Sequence, residues 1–182
     1  MSQFVGKDGH VHGVDMTEEQ LVTARKVVDS QMQTFFGSIE KPNVTFHQGY
    51  IEDLSFIPDS SVDVIVSNCV VNLSPKKDLV MKEVYRILKT GGEFYFSDVF
   101  VDRRLKEEIG NDPILHAECL GGAMYTRDFV NLAIEVGFKD PRELTRAPIT
   151  IRNDEIERMV GNTKFDSITY RLFKLDMVNI YL

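Results

Sequence analysis

The fold is indicated by one stretch, residues 62–73, which reads VDVIVSNCVVNL. Its first residues are mostly apolar, which predicts a strand that is buried on both faces of a parallel sheet. Cys69 would then lie at the carboxyl end of that strand, where open α/β sheets place their ligands. The second cysteine, Cys119, lies in the phrase AECLGG at residues 117–122, so only the fold can bring the two thiols together.

Strand and helix signals alternate along most of the chain, which predicts an α/β layer fold with a mostly parallel sheet. Strands are predicted at residues 10–15, 43–47, 62–68, 93–99, 142–151 and 167–175. Helices are predicted at residues 17–36, from 74 to the glycine pair at 91–92, at 126–137 and, as a short one, at 154–160. The last two strands suit an antiparallel edge hairpin, and residues 102–122 are predicted to be a loop with short helices that covers a site.

The composition favours one soluble domain with a small-molecule or protein partner. With 182 residues and 43% hydrophobic content, the chain is long enough to bury one core. The net charge is −7, and Lys and Arg are scattered, which argues against a nucleic-acid or anionic-membrane surface. No apolar run approaches the ~20 residues of a membrane span, and the first residues have no signal-peptide core. We therefore expect a cytoplasmic protein with reduced cysteines.

Asp15 ends the first predicted strand just before a helix, in the position where nucleotide-binding α/β folds place an acid against ribose hydroxyls. The alternative is that its charge only favours the helix N-terminus. Residues 49–52, GYIE, follow the next strand and Asn68 follows the third, so three strand ends can face one crevice. Fourteen residues precede Asp15 and no G-x-G-x-x-G motif occurs, so the first strand and glycine-rich turn usual in such folds are predicted to be absent.

The two cysteines leave three interpretations open. Free cysteines are often ordinary core residues, and a structural disulfide is disfavoured in a reducing compartment. Two thiolates would instead form a soft donor set for a thiophilic ion. Structural zinc usually needs four ligands, so His116 is read as an ordinary polar residue. His10, His12 and His47 are read as sheet residues.

Five phrases carry a resemblance to a known family: GVDMT (13–17), GYIE (49–52), SNCVVNL (67–73), GGEFYFSDV (91–99) and ECLGGA (118–123). On these phrases the chain resembles the arsenite methyltransferases, which are S-adenosylmethionine-dependent enzymes of the Rossmann-like class I methyltransferase fold. The similarity runs from about residue 6 to residue 174. The acid after a strand and the Gly-Gly turn are common to many methyltransferases, whereas the phrases around the two cysteines are far more specific.

The resemblance implies roles for individual residues toward the cofactor S-adenosylmethionine. Asp15 would bind the ribose hydroxyls, and Met16 would pack on the adenine. Ile51 and Glu52 would border the adenine edge. Asn68 would line the pocket near the methionine moiety of the cofactor.

The resemblance also implies that Cys69 and Cys119 hold trivalent arsenic. Arsenic(III) carries a lone pair that can attack the sulfonium methyl group in line, so no general base is needed. Catalysis would then come from holding nucleophile and methyl group at attack distance in a dry cleft.

The implied substrate is arsenite or its thiol conjugates, with reduced glutathione or thioredoxin as the thiol donor. Against that family, the chain is predicted to lack the opening strand with its glycine loop, an additional N-terminal cysteine and a C-terminal extension. Residues 1–175 would form an incomplete methyltransferase domain and residues 176–182 a divergent tail. Two alternatives stay open: a non-catalytic arsenic(III)-binding thiol module, and a methyltransferase for another small molecule with both cysteines in the core.

Overall fold

A computed structural model of the chain describes residues 1–36 and 43–176. They form two compact units, Met1–Leu54 and Ser55–Leu182. Apart from Asp176, the predicted tail at 176–182 lies outside the described residues, and a single domain over residues 1–175 stays a prediction. In the described part of the chain, no helix is long and apolar enough to cross a membrane.

The first unit is a two-stranded parallel sheet with a long helix between its strands. Its elements are α1 (Ser2–Val5), β1 (Val11–Asp15), α2 (Glu18–Phe36) and β2 (Val44–Gln48). The predicted strands and the predicted helix are confirmed. Because β1 and β2 are parallel, with Asp15 opposite Gln48, both strands end at the same edge. The segment after β2 therefore starts beside Asp15, and the Gly49 N–H donates to the Asp15 carbonyl at 3.1 Å.

The second unit is a five-stranded mixed sheet with helices. Its elements are β3 (Val62–Asn68), a 3₁₀ turn (Val71–Leu73), α3 (Lys77–Ile87), β4 (Leu88–Val101), α4 (Glu107–Gly110), α5 (Pro113–Ala117), β5 (Met124–Tyr125), α6 (Thr126–Val136), β6 (Lys139–Pro148), α7 (Asp154–Val160) and β7 (Phe165–Phe173). The strand order is β3-β4-β7-β6, and β5 pairs with β4. The strands β3 and β5 run parallel to β4, whereas β7 is antiparallel to both β4 and β6. The predicted antiparallel hairpin and short helix are confirmed. The predicted segment 102–122 does carry short helices, α4 and α5, whereas its covering of a site stays a prediction.

The core of the second unit is built on the longest strand, β4. Side chains two apart on a strand share a face, and Phe94, Phe96 and Phe100 of β4 are all buried. They stack with one another and with Phe129 of α6 and Tyr170 of β7, at centroid distances of 4.5 Å for Phe94–Phe96 and 4.8 Å for Phe129–Tyr170. Burying each such ring contributes about 1.5–3 kcal/mol. This cluster fixes β4, on which the site described below depends.

The prediction that β3 is buried on both faces is wrong. Val64 and Val66 are 48% and 51% exposed. Within the described sheet β3 has one neighbour, β4, and an edge strand is covered less completely than a central one.

The predicted limits of α3 are also wrong, because the helix begins at Lys77 rather than at residue 74, and ends at Ile87. Leu88 is already extended and pairs with Val62, so the chain passes directly from the helix into β4. The glycine pair lies inside that strand rather than ending the helix. Gly91 has φ 84° within an irregularity in the β3–β4 register, a conformation that favours glycine. In addition, Thr126 is the first residue of α6 rather than its cap.

The predicted sheet histidines of the first unit form a contact that was not predicted. His12 Nδ1 lies 2.9 Å from His47 Nε2, across the two paired strands. The His10 ring lies 4.9 Å from the His12 ring, and His10 Nε2 lies 2.9 Å from the Thr45 hydroxyl. Burial lowers the pKa of His12, and the nearby His10 and His47 lower it further. Burial and His10 likewise lower the pKa of His47.

These lowered pKa values predict that the pairing of β1 with β2 weakens in acid. A histidine whose pKa is lower in the folded chain binds fewer protons there than in the unfolded chain. Its contribution to the stability of the folded chain is therefore complete above pH 6.5, the ordinary pKa of histidine, and decreases as the pH falls below that value. We expect the hydrogen-exchange protection factors of the β1 and β2 amides to fall between pH 7 and pH 5.5. The fall should be clearly smaller in the double variant His12→Gln/His47→Gln, whereas His116→Gln, in the second unit, should behave like the native chain. An equal fall in the double variant would contradict the prediction.

Candidate functional site

Cys69 lies at the end of β3, in a backbone conformation that L residues rarely adopt. Its φ is 54°, and its N–H donates to the Ser97 carbonyl at 2.9 Å, so the residue is held to β4 one position beyond the strand. The side chain is exposed and is not in a disulfide. A left-handed conformation costs a non-glycine residue about 1–2 kcal/mol. Such strain is typical of functional positions, where it survives because the surrounding structure holds it.

Cys119 lies at the end of α5 and is also left-handed, with φ 60°. The helix ends in a Schellman motif, in which the Leu120 N–H donates to the Leu115 carbonyl at 2.8 Å and the Cys119 N–H donates to the His116 carbonyl at 3.0 Å. Leu115 and Leu120 are both buried in the apolar cluster beneath the loop. Cys119 therefore occupies the position that helices usually give to glycine, and its thiol is half-buried.

A close contact brings the loop after Cys119 onto the turn after Cys69. A Cβ atom added to Gly122 would lie 2.1 Å from the Asn72 carbonyl oxygen, so only glycine fits there. A Cβ atom added to Gly121 would lie 3.0 Å from the backbone nitrogen of His116, a tight contact within the segment that carries Cys119. Gly122 is thus the residue that permits this segment to lie directly against the turn after Cys69. Two cysteines separated by fifty residues are in this way brought to neighbouring loops of one unit.

A buried carboxylate, Asp98 of β4, supports the turn that follows Cys69. The side chain is 1% exposed and accepts hydrogen bonds from the Val99 N–H at 2.8 Å and the Asn72 N–H at 3.1 Å. Burial raises the pKa of Asp98, although these hydrogen bonds and the charge of Lys77 act in the opposite direction. Asp98 therefore anchors the turn that follows Cys69.

The two thiols share one electrostatic environment. Although Cys69 is exposed as a residue, partial burial of its thiol raises the pKa of Cys69, and the Asp98 carboxylate raises it further. Burial also raises the pKa of Cys119, with added effects of Asp98, of Cys69 and of Glu118. Each thiol thus keeps its proton at a higher pH than an isolated cysteine. Within the described residues, no group of three or more His, Cys, Asp or Glu side chains is placed to hold a metal ion.

The predicted cofactor residues of the first unit lie together at the strand ends. Asp15 Oδ1 accepts the Thr17 N–H at 2.8 Å, so the carboxylate does support the start of α2. Its second oxygen has no hydrogen-bond partner among the described residues and can accept from another group. Met16, the next residue, is 61% exposed. Ile51 and Glu52 lie in the segment after β2 and are half-buried.

An unpaired carboxylate oxygen beside an exposed apolar side chain fits a ligand with a hydroxylated ring and a flat apolar ring. The first unit thus presents a carboxylate acceptor and an exposed apolar side chain at one edge of its sheet. Asn68 lies in the second unit, exposed at the end of β3, with its Oδ1 3.9 Å from the Cys69 sulfur. Its predicted position near the methionine moiety stays a prediction.

Comparison with known proteins identifies the family and the fold. Residues 1–169 match the family described as "Methyltransferase domain". The chain belongs to this methyltransferase family. The predicted α/β class I methyltransferase fold is confirmed. A structure from Bacillus subtilis, the YcgJ protein, shares the fold at 17% identity, with a TM-score of 0.64 over 92% of this chain and 83% of that one.

More similar relatives confirm the resemblance to arsenite methyltransferases. The methyltransferase chain is 52% identical over 97% of its length to the arsenite methyltransferase of Aquipseudomonas alcaligenes, and 48% identical over 96% to the human one. The crystal structure of an arsenic(III) S-adenosylmethionine methyltransferase from Chlamydomonas reinhardtii matches 97% of the chain at 48% identity, with a TM-score of 0.90, and the chain covers 59% of that structure. The chain spans about half the length of the curated relatives it matches, 50% and 46% for these two.

Two residues of this site were missed in the sequence, Asn72 and Asp98. A signal for Asp98 was present, because it is the one acid among the phenylalanines on one face of β4. Asn72 gave a weaker signal, a polar residue between Val71 and Leu73. The contacts of Asn72 with Asp98 and with Gly122 join distant segments and cannot be predicted from a local pattern.

The left-handed backbone at Cys69 predicts an unusual stability order for its variants. Glycine adopts this conformation without strain, so Cys69→Gly should have a free energy of unfolding about 1 kcal/mol higher than Cys69→Ala. Denaturant titration of the two variants measures the difference. The same comparison at Ser97, which has no positive φ, should give the opposite order, because glycine in a strand is destabilising. If Cys69→Gly is no more stable than Cys69→Ala, the strained conformation is not present.

The raised thiol pKa values predict slow alkylation near neutral pH. Only the thiolate reacts with iodoacetamide, so the reaction rate follows the thiolate fraction. We expect the rates at Cys69 and Cys119 to keep rising above pH 9, and their midpoints to lie higher than those of the same cysteines in the urea-unfolded chain. Mass spectrometry of the two peptides gives both profiles in one experiment. Midpoints that coincide in folded and unfolded chains would contradict the shift.

Proposed function

We propose that this chain carries out S-adenosylmethionine-dependent methyl transfer to trivalent arsenic, with arsenic held by the Cys69 and Cys119 thiols. The observation that carries the proposal is the contact of Gly122 with the Asn72 carbonyl, which places the two cysteine loops side by side. The high identity to arsenite methyltransferases over nearly the whole chain supports the choice of substrate.

The chemistry of the two thiols suits arsenite. Trivalent arsenic is soft and prefers sulfur to oxygen ligands. When a thiol replaces an arsenic hydroxyl, an As–S bond forms, an As–O bond breaks, and the thiol proton leaves with the hydroxide as water. A protonated thiol can therefore react directly. The raised pKa values of Cys69 and Cys119 are compatible with this exchange.

The proposed reaction makes few further demands on the protein. Bound S-adenosylmethionine supplies an electrophilic methyl group on its sulfonium. Arsenic(III) keeps a lone pair when two thiols hold it, so the chain needs no general base. Its residues have to hold the arsenic, orient its lone pair and exclude water, which are contributions of positioning. Asp98, the buried acid nearest to this chemistry, already accepts two backbone N–H groups, in keeping with a supporting role.

For the cofactor we propose the residues at the strand ends. Asp15 would accept the ribose hydroxyls with its unpaired oxygen, and Met16 would pack on the adenine. Ile51 and Glu52 would border the adenine edge, and Asn68 would line the pocket near the methionine moiety. The exposure of Met16 and the unpaired oxygen of Asp15 are what support this assignment.

The proposed partners follow from the same thiol chemistry. When the arsenic lone pair bonds to the methyl carbon, the carbon–sulfonium bond breaks, S-adenosylhomocysteine is the leaving group, and the methylated arsenic becomes pentavalent. Reduced thiols such as glutathione or thioredoxin would supply the two electrons that return arsenic to the trivalent state, becoming a disulfide themselves, and would take up the product. The same reductants would keep Cys69 and Cys119 in the thiol form. This chemistry favours a reducing compartment, and we propose the cytoplasm as the location.

Calorimetric titration of the purified, reduced chain with S-adenosylmethionine and, separately, with arsenite tests the proposal. We expect both ligands to bind. Asp15→Asn should weaken cofactor binding at least tenfold, since a carboxylate accepts two ribose hydroxyls better than an amide. The matched control is Asp8→Asn, an exposed acid of the same unit, which should bind like the native chain. Cys69→Ser and Cys119→Ser should each lose tight arsenite binding while keeping that of the cofactor.

The other outcomes identify the alternatives. Arsenite binding without cofactor binding would indicate a non-catalytic arsenic(III)-binding thiol module. Cofactor binding with no effect of either cysteine variant on arsenite would indicate a methyltransferase for another small molecule. Either result would overturn the proposed function.

A further inference from the structure

One buried side chain, Asn72, connects the three segments that carry the cysteine site. It lies in the 3₁₀ turn after Cys69 and is 1% exposed. Its Nδ2 donates to the Val99 carbonyl, and its backbone N–H donates to Asp98 Oδ2 at 3.1 Å, so the turn is tied to β4 twice. Its carbonyl oxygen is the atom that Gly122 approaches most closely.

The two thiols are placed in the same way on either side of this contact. Cys69 lies three residues before Asn72, and Cys119 lies three residues before Gly122. Each cysteine is also fixed in a left-handed conformation. Any displacement of Asn72 relative to Gly122 therefore changes the separation of the two sulfur atoms, because little freedom remains between the contact and either thiol.

The side chain of Asn72 leaves one of its polar atoms unpaired. Its Oδ1 is buried and has no hydrogen-bond partner among the described residues, which is unfavourable. What the amide contributes is the Nδ2 hydrogen bond to the Val99 carbonyl, which an apolar side chain would lose. This bond ties the turn after Cys69 to β4, so the side chain acts on the position of that turn.

We propose that Asn72 is a positioning residue that sets the separation of the two thiols, so that both bind one trivalent arsenic atom. The inference rests on the proposed function, and it adds the residue on which two-thiol binding depends. Asn72 does not touch the arsenic. It acts through the backbone of the Cys69 turn and through its contact with Gly122.

A two-thiol probe tests this inference directly. Phenylarsine oxide reacts with two protein thiols to form two As–S bonds, and its oxygen leaves as one water with the two thiol protons. A single thiol holds the compound much more weakly. The affinity of the reduced chain for phenylarsine oxide therefore reports whether the two sulfur atoms are at the right separation.

The main variant is Asn72→Leu, which keeps the branched shape of the side chain and removes both the unpaired amide oxygen and the Nδ2 donor to the Val99 carbonyl. We expect its affinity for phenylarsine oxide to fall at least tenfold, toward the affinity of Cys69→Ser, at a temperature where circular dichroism shows the native fold. The alkylation rate of each cysteine by iodoacetamide should change less than threefold, because each thiol remains in place individually. A purely structural role for Asn72 would alter the melting temperature and leave the affinity unchanged.

A second pair of variants keeps the test decisive if Asn72→Leu does not fold. Gly122→Ala adds a methyl group against the Asn72 carbonyl and should also lower the affinity at least tenfold. Gly110→Ala is its matched control, since a Cβ there would meet only the Gly121 carbonyl at 3.8 Å, an ordinary contact. The control should bind like the native chain.

The outcomes separate this inference from the proposed function. If the native chain and Cys69→Ser bind phenylarsine oxide equally, the two-thiol site itself is wrong. If the native chain binds tightly and Cys69→Ser does not, but folded Asn72→Leu and Gly122→Ala both bind like the native chain, only the positioning role of Asn72 is overturned.

Discussion

The second unit depends on a carboxylate buried inside its longest strand. Asp98 lies on the face of β4 that also carries Phe96 and Phe100, and it is as deeply buried as they are. An isolated charge in such a place would be strongly unfavourable. The backbone N–H groups of Val99 and Asn72 compensate for this loss, and hydrogen bonds to a charged group contribute about 1.5–3 kcal/mol each. The turn after Cys69 therefore cannot leave β4 without exposing that charge.

The two cysteines share a left-handed backbone conformation, which different backbone hydrogen bonds impose on each. Cys69 is strained because the β3–β4 ladder extends to its own N–H, and Cys119 because it ends a helix in a Schellman motif. Glycine would adopt the left-handed conformation at both positions with less strain. A left-handed cysteine at each of two neighbouring loops is therefore difficult to explain by stability, and a requirement for sulfur at those two points explains it simply. Of the three interpretations of the cysteines, a disulfide does not fit because both are free, and a core role does not fit Cys69 because it is exposed. The soft donor set is the interpretation on which the proposed function rests.

Much of the fold could be predicted because its signals are local. The limits of β3 and α7 agree with the apolar run and the short helical pattern that predicted them. Predictions were wrong where the result depends on which strands lie next to a residue and in which register they pair. The exposure of Val64 depends on which strands flank β3, and the place of Gly91 depends on the register between β3 and β4. The His12–His47 contact likewise needs the pairing of two strands that are separated by a long helix.

The residues of the candidate site also fall into those that local sequence signals indicate and those that depend on contacts between distant segments. Cys69, Cys119 and Asp15 could be proposed as candidates, because the chain has only two cysteines and Asp15 ends a predicted strand. Asp98 was marked only as an acid on an apolar strand face. The role of Asn72 could not be predicted, because its contacts with β4 and with Gly122 join distant segments.

This difference between residues that the sequence indicates and residues that depend on the fold agrees with the chemistry proposed for the chain. A reaction whose nucleophile is the lone pair of arsenic needs no acid or base with a tuned pKa at the reacting atoms. Its demands fall on sulfur ligands, for which the sequence offers two cysteines as candidates, and on their separation, which only the fold can set. The residues that fix that separation are thus expected to be buried, hydrogen-bonded and remote from the substrate, and Asn72 and Asp98 have these properties.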